Sequence, residues 1–247
     1  MNTNAIVNYA HRGASGYCPE NTIVAFKKGL ELGATGIETD VQRTKDGKLV
    51  LIHDESVERT TGQQGLIKDL TYDEISRLDA GSWFGTEFAG EQIPLLDELL
   101  QWAAPTGLII NLELKNNAEE YTGMEQQVID VIQQYGLSDR IIISSFNHYS
   151  LVTCKQLAPD IRTGILYGDK LYNPWAYAQS VGAEALHPYH LHLNEQIVHE
   201  AAASGVISNP FTINEPERMR ELMEMGVAGI ITDYPDRLAE LLSSTVS

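Results

Sequence analysis

Long apolar runs are missing from this chain. No stretch approaches the roughly 20 consecutive apolar residues that a membrane-spanning helix needs, and Met1 to Ile6 lacks the basic start of a secretory leader. Cysteine is scarce. Cys18 and Cys154 are too few for a disulfide framework and form no zinc-type spacing, so both are expected as unpaired thiols in a reducing compartment. Basic residues are outnumbered, 17 Lys and Arg against 34 Asp and Glu, and the formal charge of -17 argues against nucleic acid or an anionic membrane as partner. Linkers rich in Pro, Gly or Ser are absent too, so nothing divides the 247 residues into separate units. A soluble cytoplasmic protein of one domain, residues 1–247, is the expectation these absences leave. An anionic small molecule is not excluded, but locally positive groups would have to capture it.

What is present is enough apolar material, 43% of the residues, to bury a substantial core. The length suits a (β/α)8 barrel, typically about 250 residues. Extended segments starting near residues 6, 36, 108, 140, 161, 184, 205 and 229 alternate with helical ones, and eight such strands closing on themselves are the simplest architecture. The first strand, Ala5 to Ala10, runs into His11-Arg12-Gly13, with Asn21 read as the N-cap of the following helix. From about 46 to 105 the alternation lapses into loops and short helices (Thr71 with Glu74 making a capping box), which reads as a small insertion over one end of the barrel.

The stretch from Gly36 to His53 carries the densest chemistry. As a strand it projects Glu38 and Asp40 from one face. Asp46-Gly47 is a strong hairpin signal, leaving too little chain for a parallel crossover, so Leu49 to Ile52 must return antiparallel. With Asp46 and Gly47 as the two turn residues, Asp40 falls opposite His53. Further on, the alternation of Leu108 to Lys115 places Asn111, Glu113 and Lys115 on the barrel's inner side. His11, Glu38, Asp40, Glu113 and Ser145 would then all sit at carboxyl ends of strands, where barrel enzymes carry their chemistry.

Neighbouring carboxylates facing a core require a cation to stay ionised. The all-oxygen set Glu38, Asp40 and Glu113 suits a hard divalent cation, Mg2+ or Ca2+, rather than zinc. Arg12 offers a fork for phosphate, Lys115 a second positive charge, and two imidazoles suggest a general acid and a general base. Such an assembly fits a phosphodiester. The histidines of the run His187 to His199 lack the partners and spacing of a zinc site, and only His187 stands where it would line the pocket. Asp233 reads as a cap before Pro235.

His11-Arg12-Gly13 with Pro19-Glu20-Asn21-Thr22, then Glu38-Thr39-Asp40, His53-Asp54, Glu113-Leu114-Lys115, Ser145-Phe146 and Thr232-Asp233, in this order and spacing, resembles the glycerophosphodiester phosphodiesterase family. The resemblance implies a TIM-type barrel that hydrolyses glycerophosphodiesters to glycerol 3-phosphate and an alcohol. It also implies metal binding by Glu38, Asp40 and Glu113, acid-base roles for His11 and His53, and phosphate contact by Arg12. In such relatives a glycerol hydroxyl is thought to attack first, giving a cyclic phosphate that water opens. Where the family usually has Trp-Thr-Val-Asn, this chain has Phe211-Thr212-Ile213-Asn214, so Phe211 keeps an apolar face for the substrate but no indole donor. Two other functions fit these residues less well. A non-catalytic sensor of a phosphorylated metabolite would not need both imidazoles, and a phospholipase-like relative is disfavoured by the acidic balance and the lack of a basic amphipathic segment.

Overall fold

A computed structural model describes residues 6–244. The expected strand start at Ala5 lies outside them. Among the described residues the chain runs β1 (Val7–His11), α1 (Ile23–Glu31), β2 (Gly36–Arg43), β3 (Leu49–Leu51), α2 (Glu58–Thr61), α3 (Tyr72–Ile75), α4 (Leu96–Ala103), β4 (Ile109–Leu114) and α5 (Met124–Gln134). It continues with β5 (Ile141–Ser145), α6 (His148–Leu157), β6 (Arg162–Tyr167), α7 (Pro174–Ser180), β7 (Ala185–Pro188), α8 (Glu195–Ala203), β8 (Ile207–Ser208), α9 (Pro216–Met225), β9 (Gly229–Thr232) and α10 (Pro235–Ser244).

The strands pair in the order β8-β7-β6-β5-β4-β2-β1-β9, all parallel, with β3 alone antiparallel on β2. Between β8 and β9 there is no regular ladder. There Ala228 N donates to Ser208 O (2.9 Å), Ile231 N to Pro210 O (3.1 Å) and Ile213 N to Ile231 O (2.9 Å), bringing the ends of the sheet together. The expected strand over residues 205–213 shrinks to two residues because Pro210 has no N–H to give a ladder.

Strand alternation sorts the side chains. Ile37 and Val41 of β2, and Ile110, Leu112 and Leu114 of β4, join the apolar layer under the outer helices. Each such fully buried aliphatic side chain contributes about 1.5–3 kcal/mol relative to exposure. The intervening residues Glu38, Asp40, Asn111 and Glu113 are left to the interior and are buried. Segment 52–95 packs its own apolar cluster, Ile52, Val57, Ile67, Ile75, Ala80 and Ile93, around Val50. Thr71 and Glu74 do form a capping box.

The hairpin differs from its sequence-based expectation by one residue. The pairs are Arg43–Leu49, Gln42–Val50 and Val41–Leu51, so Asp40 lies opposite Ile52, whose N–H donates to the Asp40 carbonyl at 3.1 Å. Thr44 causes the shift. Its backbone N–H donates to Lys48 O and its hydroxyl accepts from Lys48 N, giving a three-residue loop that closes through Gly47 at φ +82°. His53 therefore stands beyond the strand end and is not paired with Asp40 across the ladder.

Candidate active site

The loop after β1 is bent by two non-glycine residues in left-handed conformation, Arg12 (φ 52°) and Asn21 (φ 57°), a state that costs on the order of 1–3 kcal/mol and clusters at functional sites. Backbone bonds compensate. Arg12 N–H donates to Glu38 O at 2.9 Å and to the Glu38 carboxylate at 3.1 Å, and Asn21 N–H donates to Arg12 O. Gly13, at φ +80°, passes so close to α1 that a Cβ would sit 2.5 Å from the Ala25 carbonyl carbon. Thr22, not Asn21, caps α1, and the Asn21 amide instead donates to Asp40 Oδ2 at 2.9 Å and accepts from the Thr39 hydroxyl.

Register does the rest of the assembly. His11 pairs with Glu38 across β1 and β2, and Asp40 with Glu113 across β2 and β4. Glu38, Asp40 and Glu113 each offer a carboxylate oxygen within 4.8 Å of the others, and all three are buried. Arg12 Nε lies 3.3 Å from Asp40 Oδ2, and Lys115 Nζ donates to Glu113 at 2.9 Å and stands 4.0 Å from Asp40 Oδ1. The expected trio, Asn111, Glu113 and Lys115, is buried on the inner side. His187 does not line the pocket. It is fully buried inside the barrel between the amides of Asn111 (3.4 Å) and Asn209 (3.3 Å). Ser145 is also spent on structure, its hydroxyl donating to Leu114 O and accepting from Asn147 N.

Electrostatics separate the three acids. Burial, then the charges of Asp40 and Glu113, hold Glu38 well above the usual carboxylate range. Burial and Asp40 push Glu113 up to about 7 against the pull of Lys115. For Asp40 burial is outweighed by Arg12, His53, Lys115 and the Asn21 amide, which keep it low. Burial opposes the ammonium of Lys115, but Glu113 and Asp40 more than offset this and raise it. Two protonation-prone acids beside an ionised one describe a cluster short of positive charge. The Asp40 Oδ1 atom, buried without a hydrogen-bond partner, points the same way. The donor set is all oxygen, and its spacing fits the metal–oxygen distances of about 2.0–2.6 Å that Mg2+ and Ca2+ adopt.

Each imidazole carries a carboxylate on Nδ1. His11 Nδ1 lies 2.6 Å from Asp233 Oδ1, with Nε2 turned to Glu38 (3.9 Å). His53 Nδ1 lies 2.7 Å from Asp54 Oδ1. Burial, together with Arg12 and Lys115, outweighs Asp40 and Asp54 and keeps His53 below its ordinary value. Asp233 is no helix cap. Its second oxygen accepts from Asn214 Nδ2 at 2.6 Å and Ser15 donates to the first; against burial, the contact with His11 and then these two bonds depress it to about 2. Gln42, buried under the hairpin, donates its amide to the carbonyls of Ile52, His53 and Asp54 and so holds the turn bearing His53. The roles of Asp54, Asp233, Asn214 and Gln42 went unread in the sequence, although the first three lie in or beside its motifs. Across the mouth, Phe211 stacks edge-on with Phe146 (6.3 Å) and tilts on Tyr189 (6.4 Å), forming an aromatic wall on the loops after β5, β7 and β8.

With this geometry in place, comparison with known proteins is decisive. The sequence model of the glycerophosphoryl diester phosphodiesterase family matches residues 11–237. The chain belongs to this family. A glycerophosphodiester phosphodiesterase of Caldanaerobacter subterraneus subsp. tengcongensis is 46% identical over 233 residues, covering 94% of this chain and 96% of the relative. Another, from Bacillus altitudinis, is 40% identical over 236 residues, covering 94% and 96%. Among solved structures, an Oleispira antarctica phosphodiesterase in complex with the product sn-glycerol-3-phosphate superimposes with a TM-score of 0.88 at 32% identity, covering 95% of this chain and 96% of that one. As a family member the chain is an enzyme, a glycerophosphodiester phosphodiesterase of the phosphoric diester hydrolases, and its TIM-type barrel is the fold of these relatives. No described helix is long and apolar enough to cross a membrane.

Proposed function

We propose that the protein hydrolyses water-soluble glycerophosphodiesters to sn-glycerol 3-phosphate and an alcohol in a metal-dependent reaction with His11 and His53 as acid-base pair. The observation that carries this reading is the convergence of Glu38, Asp40 and Glu113 between two carboxylate-braced imidazoles. Those three acids would hold Mg2+ or Ca2+, which supplies positive charge to the phosphoryl oxygens. Arg12 and Lys115, both raised and thus cationic, bind the phosphate beside it. Phe211 gives the organic part of the substrate an apolar surface.

In the chemical step the P–O bond to the alcohol breaks. His53, held neutral at pH 7, accepts the proton of the attacking hydroxyl, from the substrate glycerol or from water. His11, oriented by Asp233 through Nδ1, delivers a proton to the departing alcohol oxygen. We place this reaction in the cytoplasm, where the buried unpaired thiols of Cys18 and Cys154 stay reduced. The whole chain acts as one domain with its insertion at about 46–105, and its charge of -17 fits a small-molecule partner rather than nucleic acid or a stable membrane association.

The test is release of sn-glycerol 3-phosphate from glycerophosphocholine and glycerophosphoethanolamine, coupled to a dehydrogenase, with and without chelator. Turnover lost on chelation, restored by Mg2+ or Ca2+ and abolished by His11→Ala and Glu113→Ala is expected. Substrate binding without metal-dependent turnover would overturn the proposal.

A further inference from the structure

Arg59 lies on the insertion, in the four-residue helix α2, and no step of the reaction above uses it. Four of the five N–H groups of its guanidinium are nonetheless committed. Nε donates to Asp54 Oδ2 (2.6 Å) and Nη2 to Asp54 Oδ1 (3.2 Å). The other edge grips Glu20, with Nη1 to Oε2 and Nη2 to Oε1, both 2.8 Å. Each of those carboxylates holds a residue of the site. Asp54 Oδ1 takes the Nδ1 side of His53 (2.7 Å), and Glu20 Oε1 accepts from Arg12 Nη1 (2.9 Å). The result is a continuous chain Arg12–Glu20–Arg59–Asp54–His53. Trp83 covers the guanidinium from the insertion side, its ring centroid 6.0 Å away.

The geometry points to Arg59 as a positioning residue that sets the imidazole of His53 and the phosphate-binding guanidinium of Arg12 in one fixed relation, making the insertion a working part of the active site. Resting on the proposed roles of His53 and Arg12, this inference deepens them. Ion pairing alone does not explain the arrangement, because a guanidinium whose side chain is 41% exposed gains little stability from its partners. What four N–H bonds, two to each carboxylate, supply is direction. Without the fork, Asp54 and Glu20 repel one another and both dependent side chains lose their aim. A lysine at this position offers one charge but no planar fork.

Arg59→Ala is expected to lower kcat for glycerophosphocholine about 10- to 100-fold, the usual cost of removing an orienting partner, and to raise KM through Arg12. Millimolar guanidinium should restore part of the lost kcat in Arg59→Ala while leaving the wild type unaffected. Arg59→Lys should stay folded and remain impaired. Arg77→Ala, which breaks only an exposed pair with Asp73, should match the wild type. Wild-type kcat and KM in Arg59→Ala, or a loss that follows a lowered melting temperature with no recovery in guanidinium, would overturn the inference. If Arg59→Ala does not fold, full kcat in Arg59→Lys overturns it equally. A wild type without turnover refutes the proposed function instead. Arg59 is then judged by calorimetric binding of sn-glycerol 3-phosphate, which the lysine variant should weaken, and unchanged affinity would count against it.

Discussion

Asp233 Oδ1 sits 2.6 Å from Nδ1 of His11, joining the end of the last strand to the end of the first. In the acid-base role proposed for His11, a carboxylate there would favour the tautomer with the proton on Nδ1 and leave Nε2 for substrate. Asp233→Asn should therefore reduce kcat by about 10^2- to 10^4-fold, since the amide can donate to Nδ1 and favour the wrong tautomer. KM should change little. Steady-state kinetics of glycerol 3-phosphate release checks this, and an equal loss through KM alone would contradict it.

Metal binding should be coupled to proton release. Glu113 is held up at about 7 without a cation, so an incoming divalent ion displaces a proton below that pH. Affinity for Mg2+ or Ca2+ should tighten as pH rises through about 7, with Glu38, also held high, adding to the dependence. Calorimetry in buffers of different ionisation enthalpy measures the released protons directly. Glu113→Gln should lower affinity and reduce the pH dependence to the part that Glu38 carries.

Acid sensitivity has a source remote from the chemistry. Burial drives His187 down to about 3, against roughly 6.5 in an unfolded chain. The folded-state value is depressed, so its contribution is intact above pH 6.5 and is lost progressively as pH falls toward 3, when the unfolded state alone takes up the proton. Urea unfolding of His187→Gln between pH 7 and 4 should give a flatter stability profile than wild type, from a lower starting point at pH 7.

Gln42→Leu should weaken both stability and rate. It strips the carbonyls of residues 52–54 of their donor and the Tyr121 hydroxyl of its acceptor, at about 1–3 kcal/mol for each buried group left unsatisfied. A lower melting temperature with a reduced kcat is expected. Full kcat in the folded variant would show that the amide does not position His53.

Much of this site could be read from the chain because two-residue alternation alone decides which side of a strand faces inward, and Glu38, Asp40 and Glu113 obey it. What escaped depends on side chains that locally redirect the backbone. The Thr44 hydroxyl lengthened the hairpin loop by one residue, and Asn21 left its expected capping position to hold Asp40. Contacts across the whole chain, such as Asn214 and Asp233 around His11, leave no local pattern to read. The burial of His187 is not legible because end-of-strand position does not reveal that Asn111 of β4 and Asn209 just after β8 close over the ring.

The pairing of β2 with β4, which sets Gly36 beside Ile109, skips the entire insertion. During synthesis β2 therefore emerges with one edge unclaimed, and the closing partner follows only after the insertion has been made. Joining such distant strands is the slow kind of folding event, so a nascent polypeptide stalled before Leu108 presents a bare strand edge beside two unmatched acids. Early folding of the insertion against β3 would shorten that interval by drawing the later strand toward its neighbour.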